Sequence, residues 1–447
     1  MKIKIPFFAF ELIKILREKG FEAYAVGGAV RDCLLHLKPN DWDVTTSATP
    51  QEVMEIFKNK KVIPTGIKQG TVTVINRGSQ VEITTMRGEG NYKDSRHPQN
   101  VKFIKSLDED ITRRDFTINA LCVGENGEVI DKTTGLRDLR SGMIKTVGDP
   151  DERFKEDALR ILRAVRLASC YGFTIEENTK KAIFNNLKLL KKLSPERVMK
   201  ELIRLLMGKN VRNVLMEYKE VIFTLIPALG DEDGVFQRQD FHCYDVWEHS
   251  VVALSNIENV DYLRLTMLLH DVGKPPCADG QGHFKGHAYV GAVMCEDILA
   301  ALHLPTKMKN RVIRLVRLHN MVAEKSEENI KRMILRYGSE TVADLIKIFR
   351  ADSSGKRANI AEERCRYYTE MEETFNRILK EQPILSQKDL KIGGRDIMAM
   401  GVPKGPVVGK ILRRVTSLAC ERDLPNERDV LLKLAKEVKG NLSSQPS

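Results

Sequence analysis

The 447-residue chain is 42% hydrophobic and only 6% aromatic, which predicts a helix-rich globular protein of about three domains and disfavours a sheet-rich sandwich. Its net charge of +11 favours a polyanionic partner such as nucleic acid, although a merely basic protein without such a partner has the same composition. No apolar stretch approaches about 18 residues, and the eight cysteines form no C-x-x-C pair, so we expect no membrane span, no disulfide framework and no zinc knuckle, but reduced thiols in a cytoplasmic protein.

The first informative elements are a glycine turn and a pair of aspartates. Gly27 and Gly28 have no side chains, so backbone N–H groups there can approach phosphate oxygens closely. Asp41 and Asp43 are predicted to lie on one face of a strand, with Cα atoms about 6.6 Å apart. Such carboxylates can converge on two divalent cations about 3.5–4 Å apart, as nucleotidyl transfer requires. The alternative is a polar turn after Pro39.

A β-hairpin is predicted next. Residues 71–75 and 81–85 are β-branched and alternating, and residues 76–80 between them are rich in turn formers. Glu82 lies between two apolar residues of the second strand and is a candidate third metal carboxylate. The alternative is a solvated residue of an edge strand.

From Asp151 onward the pattern is helical. Apolar residues at helical spacing predict a helix over 157–171, with Gly172 as its stop. Ser194 and Pro195 predict the start of another helix. Asp157 and Arg160 are three residues apart, so on a helix they share a face, where an ordinary surface ion pair is the simplest interpretation.

Four motifs in order resemble the DNA polymerase β superfamily and, more narrowly, bacterial class II CCA-adding enzymes and the similar bacterial poly(A) polymerases. They are residues 27–32, 41–43, 113–121 and 156–166, and the resemblance is strong over about the first 210 residues. It implies that Asp41 and Asp43 bind Mg²⁺ and catalyse transfer. It also implies a nucleotide-binding set of Gly27, Gly28, Arg31, Arg113, Arg114, Asp115, Asn119, Asp157, Arg160, Arg163 and Arg166.

Within this set, Asp115 is implied to contact the ribose, which is chemically sensible because a carboxylate accepts a hydrogen bond from a 2′-hydroxyl. Asp157 and Arg160 are implied to read the incoming base. Cytosine and adenine each present an amino donor beside a ring acceptor, which suits one carboxylate and one guanidinium, whereas uracil and guanine present the reverse pattern. Each buried mismatch costs about 1–3 kcal/mol.

Two further segments resemble mobile parts of the same family. Residues 131–138 resemble the hinge between head and neck. A flexible loop that complete CCA-adding enzymes carry is represented by Arg87, Glu89, Tyr92, Asp94 and Arg96. Its presence favours full CCA addition over CC addition.

A cluster of histidines and aspartates follows in the second half of the chain. His270 and Asp271 end a predicted helix and resemble the pair that names the HD-type phosphohydrolases, with His249 and Asp352 completing the implied ligand set. Asp344 is a rival to Asp352. His287 and His319 match second-metal positions, and His283 lies nearby in sequence. Imidazole with carboxylate suits a divalent transition metal such as Ni, Mn or Co. The alternative is a relic helical domain.

These observations predict an α+β head with a polymerase β-like mixed sheet, followed by an elongated all-α neck, an HD body and a tail. The predicted boundaries are 1–150, 151–215, 216–365 and 366–447, with a basic helix in the tail for tRNA. The expected function is template-independent addition of C, C and A to tRNA from CTP and ATP, without a membrane or an obligatory protein partner. The alternatives are poly(A) or partial addition, and an HD phosphohydrolase whose head only binds RNA.

Overall fold

The computed structural model describes residues 1–88, 103–381 and 384–443. The chain divides into two compact units, residues 1–227 and 228–447. The first unit combines a sheet with helices, and the second is helical in the parts that the structure describes, as the predicted fold class requires. The predicted division into four domains stays a prediction.

Unit 1 begins with a sheet flanked by short helices. Its strands are β1 Ala23–Val26, β2 Trp42–Thr46, β3 Lys61–Gly66, β4 Thr71–Asn76, β5 Ser79–Thr85, β6 Cys122–Val123, β7 Val129–Ile130, β8 Met143–Ile144 and β9 Thr174–Ile175. Its helices are α1 Phe7–Glu18, α2 Gly28–Leu34, α3 Pro50–Ile56, α4 Leu107–Thr112, α5 Gly135–Arg140, α6 Pro150–Glu156, α7 Leu159–Tyr171, α8 Glu177–Asn185, α9 Pro195–Leu206, α10 Val211–Glu217 and α11 Lys219–Leu225.

Seven strands form one mixed sheet in the order β3-β4-β5-β2-β1-β6-β7. β2 runs parallel to β5 and antiparallel to β1, so Asp43 lies in register with Glu82 on one side and Val26 on the other. Trp42 and Val44 are buried while Asp43 is half-buried, as the alternation of a strand dictates. Asp41 lies immediately before β2, so only Asp43 of the two predicted strand residues is within the strand.

The predicted hairpin is confirmed as the antiparallel pair β4 and β5. Its turn consists of Arg77 and Gly78, which have φ of 52° and 79°. Two consecutive positive φ values give a turn whose twist matches that of the strands.

The predicted helix over 157–171 begins two residues later than expected. Asp157 is extended, with φ of −144° and ψ of 100°, and separates α6 from α7. The prediction that Asp157 and Arg160 share a face of one helix is therefore wrong. Gly172 ends α7 as predicted, with φ of 73°, and Pro195 opens α9 directly after Ser194.

Unit 2 is helical in its described residues. Its helices are α13 Val246–Asn256, α14 Asp261–Leu269, α15 His287–Ala301, α16 Thr306–Leu318, α17 Glu327–Tyr337, α18 Ser339–Ser354, α19 Ala358–Lys380, α20 Gly394–Ala399, α21 Pro406–Glu421 and α22 Arg428–Ser443, while the short α12 Pro227–Gly230 lies at the boundary between the units. Across the described ranges, no helix has the length and apolarity that crossing a membrane would require. All eight cysteines are free.

Candidate active site and candidate metal centre

Three carboxylates of the head are crowded at the start of β2. Asp41 and Glu82 are exposed; Glu82 lies beside Asp43 on the neighbouring strand β5, and Asp41 immediately precedes β2. Burial raises the pKa of Asp43 to about 7, and the charges of Asp41 and Glu82 add to the effect. Oxygen ligands crowded in this way suit a divalent cation, whose charge would relieve their repulsion. The three carboxylates are not among the groups whose oxygens lie close enough together for one ion, so the set fits the predicted metal by ligand type, with nucleotide oxygens left to complete its coordination.

The predicted glycine turn lies against this carboxylate. Gly27 has φ of 78° and ψ of −140°, a conformation open almost only to glycine, and it caps the start of α2. A Cβ at Gly27 would lie 3.6 Å from Oδ2 of Asp43. The turn and the aspartate thus form adjoining walls of one site.

Arg31 is held inside unit 1 by three side chains. Its guanidinium donates to Oδ1 of Asp32 at 2.7 and 2.9 Å, to Oδ1 of Asn119 at 2.6 Å and to the hydroxyl of Tyr171 at 2.6 Å. It also lies over the Tyr171 ring, 4.6 Å from the centroid. Arg31 is only 6% exposed, so its main visible role is to tie α2 to α7. Sequence reasoning missed Tyr171, which looked like an ordinary last residue of a helix.

Asp115 connects the same network to Arg163. Its Oδ1 accepts from the N–H of Phe116 at 2.8 Å and from Nδ2 of Asn119 at 3.1 Å, and its Oδ2 accepts from Nε of Arg163 at 2.7 Å. Burial opposes ionisation, but Arg163 and these donors hold the pKa of Asp115 well below its ordinary value. Asp115 is therefore a fixed, charged acceptor.

The two arginines before Asp115 share a buried counter-ion that sequence reasoning missed. Asp110 is fully buried and accepts from Nε of Arg113 at 2.8 Å, Nη2 of Arg114 at 2.9 Å and Oγ1 of Thr45 at 3.2 Å. Burial opposes it, but the charges of both arginines hold the pKa of Asp110 below its ordinary value. In the sequence, Asp110 looks like one more acid in the first turn of a helix.

Each member of the predicted base-reading pair is held by a different residue. Arg160 donates to Oε2 of Glu156 at 2.6 Å, and it also reaches the carbonyl of Arg113 at 3.0 Å. Asp157 accepts from the N–H of Leu159 at 3.1 Å and from Nη2 of Arg197 at 2.7 Å. Arg197 was not predicted, and its only sequence signal is its place in the first turn of α9.

The last predicted nucleotide ligand is Arg166, and the two predicted mobile segments begin at Arg87 and Asp131. Arg166 pairs with the buried Glu201 of α9 at 2.6 Å, which marks it as a link between α7 and α9. Arg87 donates to the carbonyl of Gln69 at 3.0 Å. Asp131 accepts from three backbone N–H groups at the start of α5. The other loop residues, Glu89, Tyr92, Asp94 and Arg96, lie outside the described residues.

The histidines and aspartates of unit 2 form a compact buried cluster. Nε2 of His249 lies 3.0 Å from Oδ1 of Asp352, and Nε2 of His270 lies 3.2 Å from Oδ2 of Asp271 and 3.5 Å from Oδ1 of Asp352. Nδ1 of each ring faces a backbone carbonyl, of Gly355 at 3.1 Å and Met267 at 2.8 Å. These carbonyls assign the proton to Nδ1 and leave Nε2 as a lone pair, the form in which imidazole binds a metal.

The other oxygen of Asp271 faces a second pair of imidazoles. Nε2 of His287 and Nε2 of His319 each lie 3.5 Å from Oδ1 of Asp271 and 3.2 Å from each other. Their Nδ1 atoms also face carbonyls, of Phe284 at 2.8 Å and Val316 at 2.6 Å. Two acceptor nitrogens in contact repel unless a cation lies between them. The buried Nε2 of His270, which makes no hydrogen bond, is a further sign that the donor set fits metal ions.

The competing residues lie elsewhere. Asp344 pairs with Arg311 at 2.6 Å and accepts from Tyr262 at 3.0 Å, so it serves a separate ion pair, and the distances favour Asp352. His283 is exposed and pairs with Asp279. In the part of the chain that the structure describes, groups of three or more metal-ligand side chains close enough for one ion occur only at the two faces of Asp271.

Three family models match parts of the chain. The model of the poly A polymerase head domain matches residues 23–145, that of an RNA- and SrmB-binding site of polymerase A matches 172–222, and that of tRNA nucleotidyltransferase domain 2 matches 289–435. Together they cover the carboxylate site, the helices after α7 and much of unit 2.

One relative is similar over nearly the whole chain, and another is more similar over about half of it. The CCA-adding enzyme of Ligilactobacillus salivarius is 33% identical over 434 residues, which is 96% of each chain. That of Lactobacillus delbrueckii is 50% identical over 210 residues, 47% of this chain and 52% of the relative.

Solved structures of such enzymes are also similar. The Bacillus stearothermophilus CCA-adding enzyme in complex with CTP covers 99% of this chain and 100% of its own, with a TM-score of 0.71 and 28% identity. The Thermotoga maritima CCA-adding enzyme complexed with tRNA has a TM-score of 0.55 over 97% of this chain and 94% of its own, and at 23% identity it supports the fold alone.

Proposed function

The chain belongs to the family of bacterial CCA-adding enzymes, and on this premise we propose that Asp41 and Asp43 hold the divalent cations of its reaction. It is a tRNA nucleotidyltransferase that adds C, C and A to tRNA 3′ ends from CTP and ATP. Mg²⁺ is the cation we expect, because it prefers oxygen ligands and keeps positions for phosphate oxygens. Bound there, it supplies polarisation of the attacking 3′-hydroxyl and neutralisation of the leaving pyrophosphate.

One observation carries this proposal: Asp43 is crowded by Asp41 and Glu82 and adjoins the Gly27 turn. The raised pKa of Asp43 means that the metal-free site is poorly satisfied, and such a site gains most from a cation. The Gly27 turn has no side chain beside this carboxylate, so its backbone N–H groups can approach phosphate oxygens. Glu82 is the candidate third ligand, from the neighbouring strand.

The triphosphate and ribose are assigned to the arginine network. Asp110 holds Arg113 and Arg114 side by side, which places two positive charges before Asp115. Asp115, kept ionised by Arg163, is suited to accept from the ribose 2′-hydroxyl and so to favour NTP over dNTP. Arg31 donates to Asn119, and Asn119 donates to Asp115, so both residues position the Asp115 carboxylate.

Base selection is assigned to Asp157 and Arg160. In the structure Arg197 and Glu156 hold these two side chains in place. The carboxylate of Asp157 can accept from the amino group of C or A, and Arg160 can donate to the adjacent ring nitrogen. U and G would leave both groups unpaired, which polar sites reject strongly.

Incubation with three tRNAs, ending before C, after C and after CC, tests the proposal. CTP alone should extend the first two, ATP alone should extend only the third by one residue, and UTP and GTP should extend none. Asp43→Ala should abolish all addition, and Glu55→Ala, a change at an exposed head residue, should not. Long tails from ATP alone on the first tRNA would favour poly(A) synthesis instead.

We further propose that the cluster around Asp271 is an HD-type metal site that hydrolyses phosphate esters. Its support is the orientation of four Nε2 atoms toward the two oxygens of one aspartate. Ni, Mn and Co are the expected metals, because they accept mixed imidazole and carboxylate ligands. In this reaction water adds to phosphorus and the alcohol leaves. Metal analysis and phosphatase assays of His270→Ala against the parent test it.

Action on tRNA also supports the cytoplasmic location that the cysteine pattern predicts.

A further inference from the structure

Tyr171, the last residue of α7, forms a polar triangle with two neighbouring residues of α2. Its hydroxyl accepts from Nη2 of Arg31 at 2.6 Å and donates to Oδ1 of Asp32 at 2.8 Å. Arg31 closes the triangle, because its Nε and Nη2 also donate to Oδ1 of Asp32, at 2.9 and 2.7 Å. Burial raises the pKa of Tyr171 to about 12, so the hydroxyl keeps the proton that it donates. The triangle therefore holds the Arg31 guanidinium in one orientation.

The orientation of Arg31 determines the orientation of the Asn119 amide. Because Nε and Nη2 of Arg31 are engaged in the triangle, its Nη1 is the group that donates to Oδ1 of Asn119, at 2.6 Å. With its oxygen held in this way, the amide turns Nδ2 toward Asp115, whose Oδ1 accepts at 3.1 Å. A flipped amide would present its oxygen to the carboxylate, and two acceptors in contact repel each other. Tyr171 thus acts on Asp115 through two intervening side chains.

Helix α7 also contacts Asp115 directly, through Arg163. Nε of Arg163 donates to Oδ2 of Asp115 at 2.7 Å, and Arg163 and Tyr171 lie about two helical turns apart on α7. The hydrogen bonds therefore form a closed path that runs from Tyr171 through Arg31, Asn119 and Asp115 to Arg163 and returns along α7. Each oxygen of the Asp115 carboxylate is fixed by a different end of this path.

We propose that Tyr171 is a positioning residue for recognition of the ribose. Its hydroxyl holds Arg31, and through Asn119 the Asp115 carboxylate, in the orientation that accepts from the 2′-hydroxyl of the incoming nucleotide. This inference rests on the ribose contact proposed above for Asp115 and adds a residue that does not touch the nucleotide. A hydrogen bond weakens steeply when its angle departs from linearity, so a carboxylate that is no longer held would gain less from the 2′-hydroxyl. Loss of the Tyr171 hydroxyl should therefore lower the selectivity for NTP over dNTP.

Steady-state addition of one residue to a tRNA that ends after the first C, with CTP or with dCTP, tests the inference. The readout is the sugar ratio, defined as kcat/KM for CTP divided by kcat/KM for dCTP. Tyr171→Phe keeps the ring over Arg31 and removes the hydroxyl, and it should lower the sugar ratio roughly 2- to 10-fold, the effect of one hydrogen bond of ordinary strength. Phe173→Leu is the control, because Phe173 packs 5.7 Å from the Tyr171 ring and has no polar group for the path. It should keep the parent's sugar ratio even where it lowers the free energy of unfolding.

A double-mutant cycle with Asn119→Ala tests the route from Tyr171 to Asp115. If Tyr171 acts through Asn119, Tyr171→Phe should change the sugar ratio no further in the Asn119→Ala background. Equal changes in both backgrounds, or the parent's sugar ratio in Tyr171→Phe alone, would overturn the inference. Asp115→Asn separates the inference from its premise. The parent's sugar ratio in Asp115→Asn would overturn the ribose contact and the inference together, whereas a lowered ratio in Asp115→Asn with the parent's ratio in Tyr171→Phe would overturn the inference alone.

Discussion

Replacement of Asp43 by asparagine should stabilise the metal-free head while it abolishes nucleotide addition. Burial, Asp41 and Glu82 raise the pKa of Asp43 from 3.8 to about 7. A carboxyl whose pKa is higher in the folded than in the unfolded protein binds more protons when folded, so the free energy of unfolding falls as pH rises through this window. Each pKa unit corresponds to about 1.4 kcal/mol.

The expected size of the effect depends on pH. Asp43→Asn mimics the protonated side chain, so its gain in unfolding free energy should be at most about 1 kcal/mol at pH 4.5 and at most about 4 kcal/mol at pH 8. Mg²⁺ should reverse the difference at pH 8, because it binds the folded carboxylates of the parent and not the amide.

Urea unfolding with a chelator, at both pH values, measures this gain. Trp42 adjoins Asp43 in β2 and is buried, so its fluorescence reports on the head, and a Trp247→Phe background removes the other tryptophan. Glu55→Gln is the control, since Glu55 is exposed and its pair with Lys58 is worth little. No gain at pH 8, or the same gain at both pH values, would refute the crowding of carboxylates as the cause.

Four further outcomes are expected. Gly27→Ala should lower the free energy of unfolding by about 1–3 kcal/mol, because only glycine tolerates its φ of 78° with ψ of −140°. It should also lower kcat/KM for CTP. Urea unfolding measures the first effect and a steady-state assay the second. Asp110→Asn should cost about 3–5 kcal/mol in urea unfolding, since it leaves Arg113 and Arg114 without their buried counter-ion; a cost below about 1 kcal/mol contradicts this. Arg160→Lys should reduce CTP and ATP incorporation about 10- to 100-fold, measured as kcat/KM, and should weaken the preference for CTP over UTP in a competition assay; an unchanged preference would exclude base reading. Asp271→Asn should remove bound metal from both faces of the cluster, measured by elemental analysis, with CCA addition unchanged; full metal content would contradict the shared-ligand geometry.

The local parts of the fold were predictable because their causes are local. The hairpin of β4 and β5 follows from alternation and from turn formers at Arg77 and Gly78, and the end of α7 follows from Gly172. The break at Asp157 was missed because the apolar spacing continues through it, and only the contact with Arg197 shows why the chain turns there.

The site was predictable where chemistry is written in short motifs and not where it depends on distant partners. Asp41 and Asp43 are candidates because their spacing occurs together with the Gly27–Gly28 turn. Asp110 does not, because its role comes from Thr45, Arg113 and Arg114, which meet it only in the folded head. The pairing of Glu82 with Asp43 likewise requires β5 to lie parallel to β2, and no local pattern encodes that neighbour.

The parallel pairing of β2 with β5 also determines where the head tolerates added residues. The turn at Arg77 and Gly78 lies beyond the last pair of the hairpin, Asn76 and Ser79, so extra residues there lengthen a loop and leave the strands aligned. One extra residue between Gly78 and Val81 would instead shift the register of β5 by one residue. Glu82 would then face the core, and its apolar neighbours would face the substrate. Insertion scanning across this hairpin should therefore switch from active to inactive within a few residues.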